Sequence, residues 1–142
     1  MARMILVVDD EALSRMCTQR ILENFGFEVV SAEGGQEAVD AAGDFDAIIM
    51  DCQMPQVDGF QATAAIRRRQ RQTRSAAVPI IGLSGRAMEG DREIALAKGM
   101  DEYITKPVRV HKLQAALDGL GVKVAARSTP REDRSAGTSV SR

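Results

Sequence analysis

Short, nearly unbroken apolar runs recur along the chain, and each stops abruptly at a polar side chain. Met4-Ile5-Leu6-Val7-Val8 ends at Asp9, Ala47-Ile48-Ile49-Met50 at Asp51, and Val78-Pro79-Ile80-Ile81-Gly82-Leu83 at Ser84. Runs of this length, rich in Ile and Val and continuous rather than alternating, suit strands buried on both faces. Between them the apolar positions fall at three- and four-residue spacing, the period of a helix packed on one side. The pattern predicts strands at 4–8, 28–31, 46–50, 79–83 and 102–105, and helices at 12–25, 35–42, 60–70, 88–97 and 110–118. In the first helix Leu13, Met16, Cys17, Arg20, Ile21 and Leu22 are expected to form the inward face. Gly26, Gly43 and Gly99 follow predicted helix ends, where a left-handed cap favours glycine. Strand and helix alternate throughout, which implies an α/β domain whose parallel sheet is covered on both faces.

The chain has 142 residues, 44% hydrophobic and 27% charged, enough for one ordinary core and no second catalytic domain. From Gly121 onward Ser, Arg, Thr and Gly dominate, so the domain is expected at 3–120 and a disordered tail at 121–142. A net charge of -1 and a pI near 5.9 give no general attraction to nucleic acid or anionic membrane. Arg67, Arg68, Arg69, Arg71 and Arg74 read as a solvated helix end. No apolar stretch reaches the roughly 18 residues of a membrane span and no signal-peptide pattern opens the chain, so a cytoplasmic location is expected. Cys17 and Cys52 lack zinc-site spacing and read as packed, inert thiols; the seven methionines read as core filler. His111 is the only histidine, expected exposed, and there is no glycine-rich ATP motif, so the protein must act together with others.

The chemistry gathers at the strand ends. Asp9, Asp10 and Asp51 would repel one another by about 4 kcal/mol per pair at 4 Å and an effective dielectric near 20. Taken alone, Asp9-Asp10-Glu11 could simply cap the first helix, and Asp51 could be a solvated acid before a Met54-Pro55, Asp58-Gly59 turn. Together the three carboxylates suit a hard cation, for which Mg2+ is the natural candidate. Ser84 and Lys106, at the ends of two further strands, supply the hydroxyl and ammonium that would complement a phosphorylated carboxylate, with Asp51 as nucleophile.

Asp9-Asp10, the segment DCQMPQVDG from Asp51 to Gly59, Ser84-Gly85 and Lys106-Pro107 occur in this order, each after a strand-like run. The set resembles response-regulator receiver domains of two-component phosphorelays, and the wording of DCQMPQVDGFQATAAIR and AMEGDREIALAKGMDEYITKP looks most like the receiver modules of hybrid sensor histidine kinases. The resemblance implies a flavodoxin-like, doubly wound five-stranded sheet in the order 2-1-3-4-5, with a crevice where strands 1 and 3 diverge. It implies that Asp51 accepts a phosphoryl group from a partner's phosphohistidine, on a histidine kinase or a histidine phosphotransfer protein. Mg2+ would be held by Asp9, Asp10, Asp51 and the Gln53 backbone carbonyl. It further implies catalytic roles for Lys106 and Ser84, a cis Lys106-Pro107 bond, a Ser84–Tyr103 switch, and tuning of phosphoryl lifetime by Gln53 and Arg86. Output would be a changed association with a downstream protein through the fourth helix, fifth strand and fifth helix, without direct contact to nucleic acid or membrane. A signalling module rather than a turnover enzyme is expected: an aspartyl phosphatase of the haloacid dehalogenase type would carry a second acid where Asp51-Cys52-Gln53 has none. A receiver-like domain that works without phosphorylation is disfavoured because all five site residues are present.

Overall fold

The computed structural model describes residues 3–85 and 89–124. Strands and helices alternate as β1 (Met4–Val8), α1 (Ala12–Asn24), β2 (Glu28–Ala32), α2 (Gly35–Ala41), β3 (Ala47–Asp51), α3 (Gly59–Thr73), β4 (Ile80–Ser84), α4 (Asp91–Ala97), β5 (Glu102–Thr105) and α5 (Val110–Gly119). The five strands pair in parallel in the order β2-β1-β3-β4-β5. This is the flavodoxin-like arrangement expected above. Because β1 has β2 on one side and β3 on the other, the connections leave in opposite directions and a crevice opens at their carboxyl ends.

Alternate residues of each strand feed two cores. Ile5, Val7, Ile49, Ile81 and Leu83 pack with Leu22 of α1 and Leu113 and Leu117 of α5. Leu6, Val8, Ile48, Met50 and Ile80 face the other way, onto Ala38 of α2, Ile66 of α3 and Ala95 of α4. The register sets Val8 beside Met50, Asp51 beside Leu83 and Ser84 beside Thr105. Asp9, Asp51, Ser84 and Lys106 therefore leave the sheet at one level.

Several boundaries and faces differ from the sequence expectation. In α1 the inward side chains are Thr18 and Leu22, with Ile21 half-buried, whereas Leu13 and Met16 are 70% and 54% exposed and Cys17 is exposed too. The helix carries two apolar stripes, and only the one continuing to Phe25 meets the core. Helix α3 is longer than expected: Asp58 and Gln61 form a reciprocal capping box at its start, and Arg74 closes it in the left-handed conformation. Helix α4 begins at Asp91, after Gly90 at φ 88°. Gly26 and Gly99 take the expected left-handed cap, but Gly43 does not, because α2 ends in extended Ala42. At the far end Val122 is only 7% exposed and joins the first core, so packing continues past residue 120; residues 125–142, the bulk of the expected tail, lie outside the described residues. Among the described residues no helix is long and apolar enough to cross a membrane.

At the amino end of the sheet Arg67 forms a bracket. Its guanidinium donates to the Gly99 and Val78 carbonyls at 3.0 and 2.7 Å and to Asp101 Oδ2 at 2.8 Å, while the same Asp101 oxygen accepts from the Ile80 amide at 2.8 Å. At the carboxyl end α3 starts directly beneath the site: a Cβ on Gly59 would lie 2.2 Å from the Asp51 carbonyl oxygen. Backbone cannot move aside as a flexible side chain would. Gly59→Ala is expected to destabilise the fold by about 3 kcal/mol, seen as a lowered denaturation midpoint at unchanged slope.

Candidate functional site: a carboxylate crevice at the switch point

Asp51 is the last residue of β3, placed there by the Cys52 amide, which donates to the Leu83 carbonyl at 2.7 Å. Its Oδ1 accepts from the Gln53 amide at 3.2 Å, and its Oδ2 accepts from Lys106 Nζ at 3.3 Å. Both oxygens are thus oriented. Asp9 follows β1 and is fully buried; its amide donates to the Ala32 carbonyl at 3.1 Å and its Oδ1 accepts from the Glu11 amide at 3.0 Å. Lys106 reaches across from the end of β5, with Nζ 3.0 Å from Asp9 Oδ2 and 3.6 Å from Glu11 Oε1. Its own amide donates to the Ser84 carbonyl at 2.7 Å, and the Lys106-Pro107 bond is cis. Asp10 is exposed at the mouth, and Asp9, Asp10 and Asp51 each place one carboxylate oxygen within 4.8 Å of the others.

The charges are unevenly distributed. Burial, reinforced by the Asp9 charge, pushes the Asp51 carboxyl up to about 7, against the pull of Lys106. Burial also pushes Asp9 upward, but hydrogen bonds from Ser14, the Glu11 amide and Lys106 outweigh it and hold that carboxyl below its ordinary value. For Lys106, burial works against the ammonium while Asp9 and Asp51 favour it, leaving it above its ordinary value. One ammonium therefore faces an excess of negative charge. The oxygen donors are the hard kind Mg2+ takes, and a cation there would counter the burial and the Asp9 charge that raise Asp51, so the residues present fit that ion.

Ser84, the last residue of β4 and 0% exposed, donates its hydroxyl to Gln53 Oε1 at 3.1 Å. Tyr103 of β5 is half-buried against the second core, and its hydroxyl donates to Asp91 Oδ2 at the start of α4 at 3.4 Å. Burial raises the Tyr103 phenol, while a hydrogen bond with Ser84 pulls the other way. The mouth is an open crevice of about 500 Å3 lined by Asp10, Glu11, Asp51, Gln53, Gly85 and Lys106.

The chain is similar in sequence and fold to known proteins. The family model for the response regulator receiver domain matches residues 5–118. The chain belongs to this family, and it is a receiver domain of two-component phosphorelay signalling. It is 38% identical over 132 residues to the sensor protein GacS of Pseudomonas syringae, a match covering 91% of this chain and 15% of that protein. The chain thus spans under a sixth of that relative. The receiver domain of a sensor histidine kinase from Pseudomonas aeruginosa, solved with a magnesium ion in its active site cleft, is 34% identical at a TM-score of 0.73, covering 85% of this chain and 99% of that one. The receiver domain of the Saccharomyces cerevisiae response regulator Ssk1, solved with the histidine phosphotransfer protein Ypd1, belongs to an assembly that matches at TM-score 0.75 and 28% identity, covering 82% and 88%.

The structure brings Asp9, Asp10, Asp51, Gln53, Ser84 and Lys106 together, sets Tyr103 one strand away, and does not describe Arg86. His111 is exposed. Cys52 is buried, and burial with nearby acids pushes its thiol up to about 12, which makes it inert as expected; Cys17 is exposed rather than packed. Sequence reasoning missed Arg15, whose Nη1 donates to the Asp9 carbonyl at 2.7 Å, with Nη2 3.7 Å from Glu33. The available signal was a cation in the first turns of a helix, where the dipole disfavours it. It also missed the side-chain bond between Gln53 and Ser84, which no spacing rule predicts.

The raised Asp51 carboxyl has a definite sign in stability. The folded state holds that proton more tightly than the unfolded chain, so its stabilisation is complete at low pH, below the ordinary carboxylate range, and is lost as pH rises through about 7. In magnesium-free buffer stability should fall between about pH 4 and pH 7 by on the order of 4 kcal/mol, read as a falling melting temperature. Asp51→Asn should remove most of that fall, as scanning calorimetry at several pH values would show.

Proposed function

We propose that Asp51 is the phosphoacceptor of this domain. The observation that carries the reading is a buried carboxylate with one oxygen 3.3 Å from Lys106 Nζ and two further acids converging on it. Ionised Asp51 attacks the phosphorus of a partner's phosphohistidine; the P–N bond breaks, the imidazole leaves with its electron pair, and an acyl phosphate forms on the carboxylate. Lys106 offsets charge on the transferred group, and the Gln53 amide keeps the carboxylate turned toward the mouth. Asp9, Asp10, Asp51 and the Gln53 backbone carbonyl would hold Mg2+, which when bound supplies further positive charge against phosphoryl oxygens. Ser84 donates to the new phosphoryl group, Tyr103 follows Ser84, and the Tyr103–Asp91 contact carries the change to α4. Gln53 and Arg86 tune how long the acyl phosphate survives. The output face comprises α4, β5 and α5, where Ile94 and Val110 are exposed apolar side chains that suit a downstream protein partner.

The donor's route is marked by α1. The exposed Leu13 and Cys17 line an apolar groove of about 470 Å3 with Pro107 and Val108, and its inner end reaches Glu11 and Lys106. A helical histidine-bearing domain lying on this groove would present its phosphohistidine to the carboxylate crevice. The solved assembly of a histidine phosphotransfer protein with a related receiver domain supports that choice of occupant.

Incubation with acetyl phosphate and magnesium should place a hydroxylamine-labile phosphate on wild-type protein and none on Asp51→Asn. Labelling of Asp51→Asn at the wild-type level would refute the assignment. Leu13→Glu should slow transfer from a phosphorylated histidine phosphotransfer domain about tenfold more than it slows acetyl phosphate, the equivalent of roughly 1.4 kcal/mol in docking.

A further inference from the structure

Of the three acids in the crevice Asp10 alone is exposed, and its carboxylate has no hydrogen bond or ion pair among the described residues. Its aim is therefore left to the backbone. The peptide that joins Asp9 to Asp10 is pinned at its oxygen, because Arg15 Nη1 donates to the Asp9 carbonyl at 2.7 Å. On the other side of the same residue the Asp9 amide donates to the Ala32 carbonyl at 3.1 Å. The atoms from the Asp9 α-carbon to the Asp10 α-carbon lie in one plane, so an anchored oxygen constrains the point from which the Asp10 side chain departs. The anchor is itself held: the Arg15 side chain is only 16% exposed, and its other arm, Nη2, lies 3.7 Å from Glu33. A charged donor also makes a stronger bond to a carbonyl than a neutral one does.

We infer that Arg15 is a positioning residue for the metal site, holding the Asp9–Asp10 peptide so that the Asp10 carboxylate converges with those of Asp9 and Asp51. This rests on the magnesium site proposed above. The sign of the effect separates this role from plain electrostatics. A guanidinium close to the acids repels a divalent cation, so by charge alone its removal would tighten magnesium binding. Through the peptide its removal weakens binding, because magnesium demands near-ideal octahedral geometry and a carboxylate set free to wander seldom meets it. Glu33 offsets part of the Arg15 charge, whereas groups that orient metal ligands typically contribute tenfold or more in affinity, so the loss of aim outweighs the relief of repulsion.

The test is calorimetric titration of the full chain with magnesium chloride, for wild type, Arg15→Met, Arg15→Lys, Asp10→Asn and the Arg15→Met, Asp10→Asn double variant. Met keeps a long stem without a donor, and Lys keeps both a donor and the charge; Arg15→Ala serves in place of Arg15→Met if that variant does not fold. Arg15→Met should weaken magnesium binding about tenfold, and Arg15→Lys should recover most of the loss. In the Asp10→Asn background Arg15→Met should change the affinity little, since the ligand it aims is already gone. Calcium chloride, titrated in parallel, should lose less than magnesium, because calcium tolerates irregular coordination. Tighter magnesium binding in Arg15→Met would mean that Arg15 acts by charge alone, and the positioning role would be wrong. An equal loss in Arg15→Lys, or a loss undiminished in the Asp10→Asn background, would also overturn it, the first by pointing to the packed stem and the second to general damage. Asp10→Asn that binds magnesium as well as wild type would overturn the metal assignment itself. A loss in Asp10→Asn with none in Arg15→Met would leave the metal site standing and sink the role of Arg15 alone.

Discussion

Lys106 Nζ stands 3.0 Å from Asp9, 3.3 Å from Asp51 and 3.6 Å from Glu11, and this one ammonium among three carboxylates governs much of the architecture. The acids arrive from β1 and β3 and the cation from β5, two strands away from β3 across the sheet. They meet only if all of these strands hold their register, because a slip of one residue would turn a side chain to the opposite face. Register in turn depends on the alternate burial of Ile5 with Val7 and Leu6 with Val8 in two separate cores. The electrostatics of the crevice and the apolar runs behind it are therefore one requirement stated twice.

Those runs made the fold legible. A strand buried on both faces must be apolar throughout, so the first polar residue after it marks the sheet edge, and Asp9, Asp51 and Ser84 stood out for that reason. The strand order came from the resemblance, since βα alternation by itself permits several windings. What stayed hidden depends on relations that periodicity does not encode. Helix α1 has two apolar stripes of similar strength, and choosing the buried one requires knowing where the sheet lies beneath it. Leu13, Met16 and Cys17 followed a helical spacing correctly and were assigned to the wrong side. The bonds from Gln53 to Ser84 and from Tyr103 to Asp91 join residues brought together only by the finished sheet.

The same hidden relations divide the surface. Leu13 and Met16 leave one apolar patch on α1, while Ile94 and Val110 leave another on α4 and α5. The two are served by opposite sides of the crevice: the α1 groove ends at Lys106, and the α4 side begins at Tyr103 and Asp91. Under the proposed function, donor and recipient would each have a face of their own and would not compete for the same ground.

The bracket around Arg67 gives this division a mechanical side. By tying α3 to the start of β4 and to the turn before β5, it anchors the end of the sheet remote from the crevice. A strand fixed at its base cannot slide along its neighbours. In the proposed switch, a displacement at Ser84 would be denied the cheapest way to dissipate and would emerge as tilt or rotation at the free end, near α4. On that proposal the domain would act as a short lever with the Arg67 guanidinium as its fulcrum, and the stiffness of that fulcrum would set how faithfully a movement of about the length of one hydrogen bond reaches the surface.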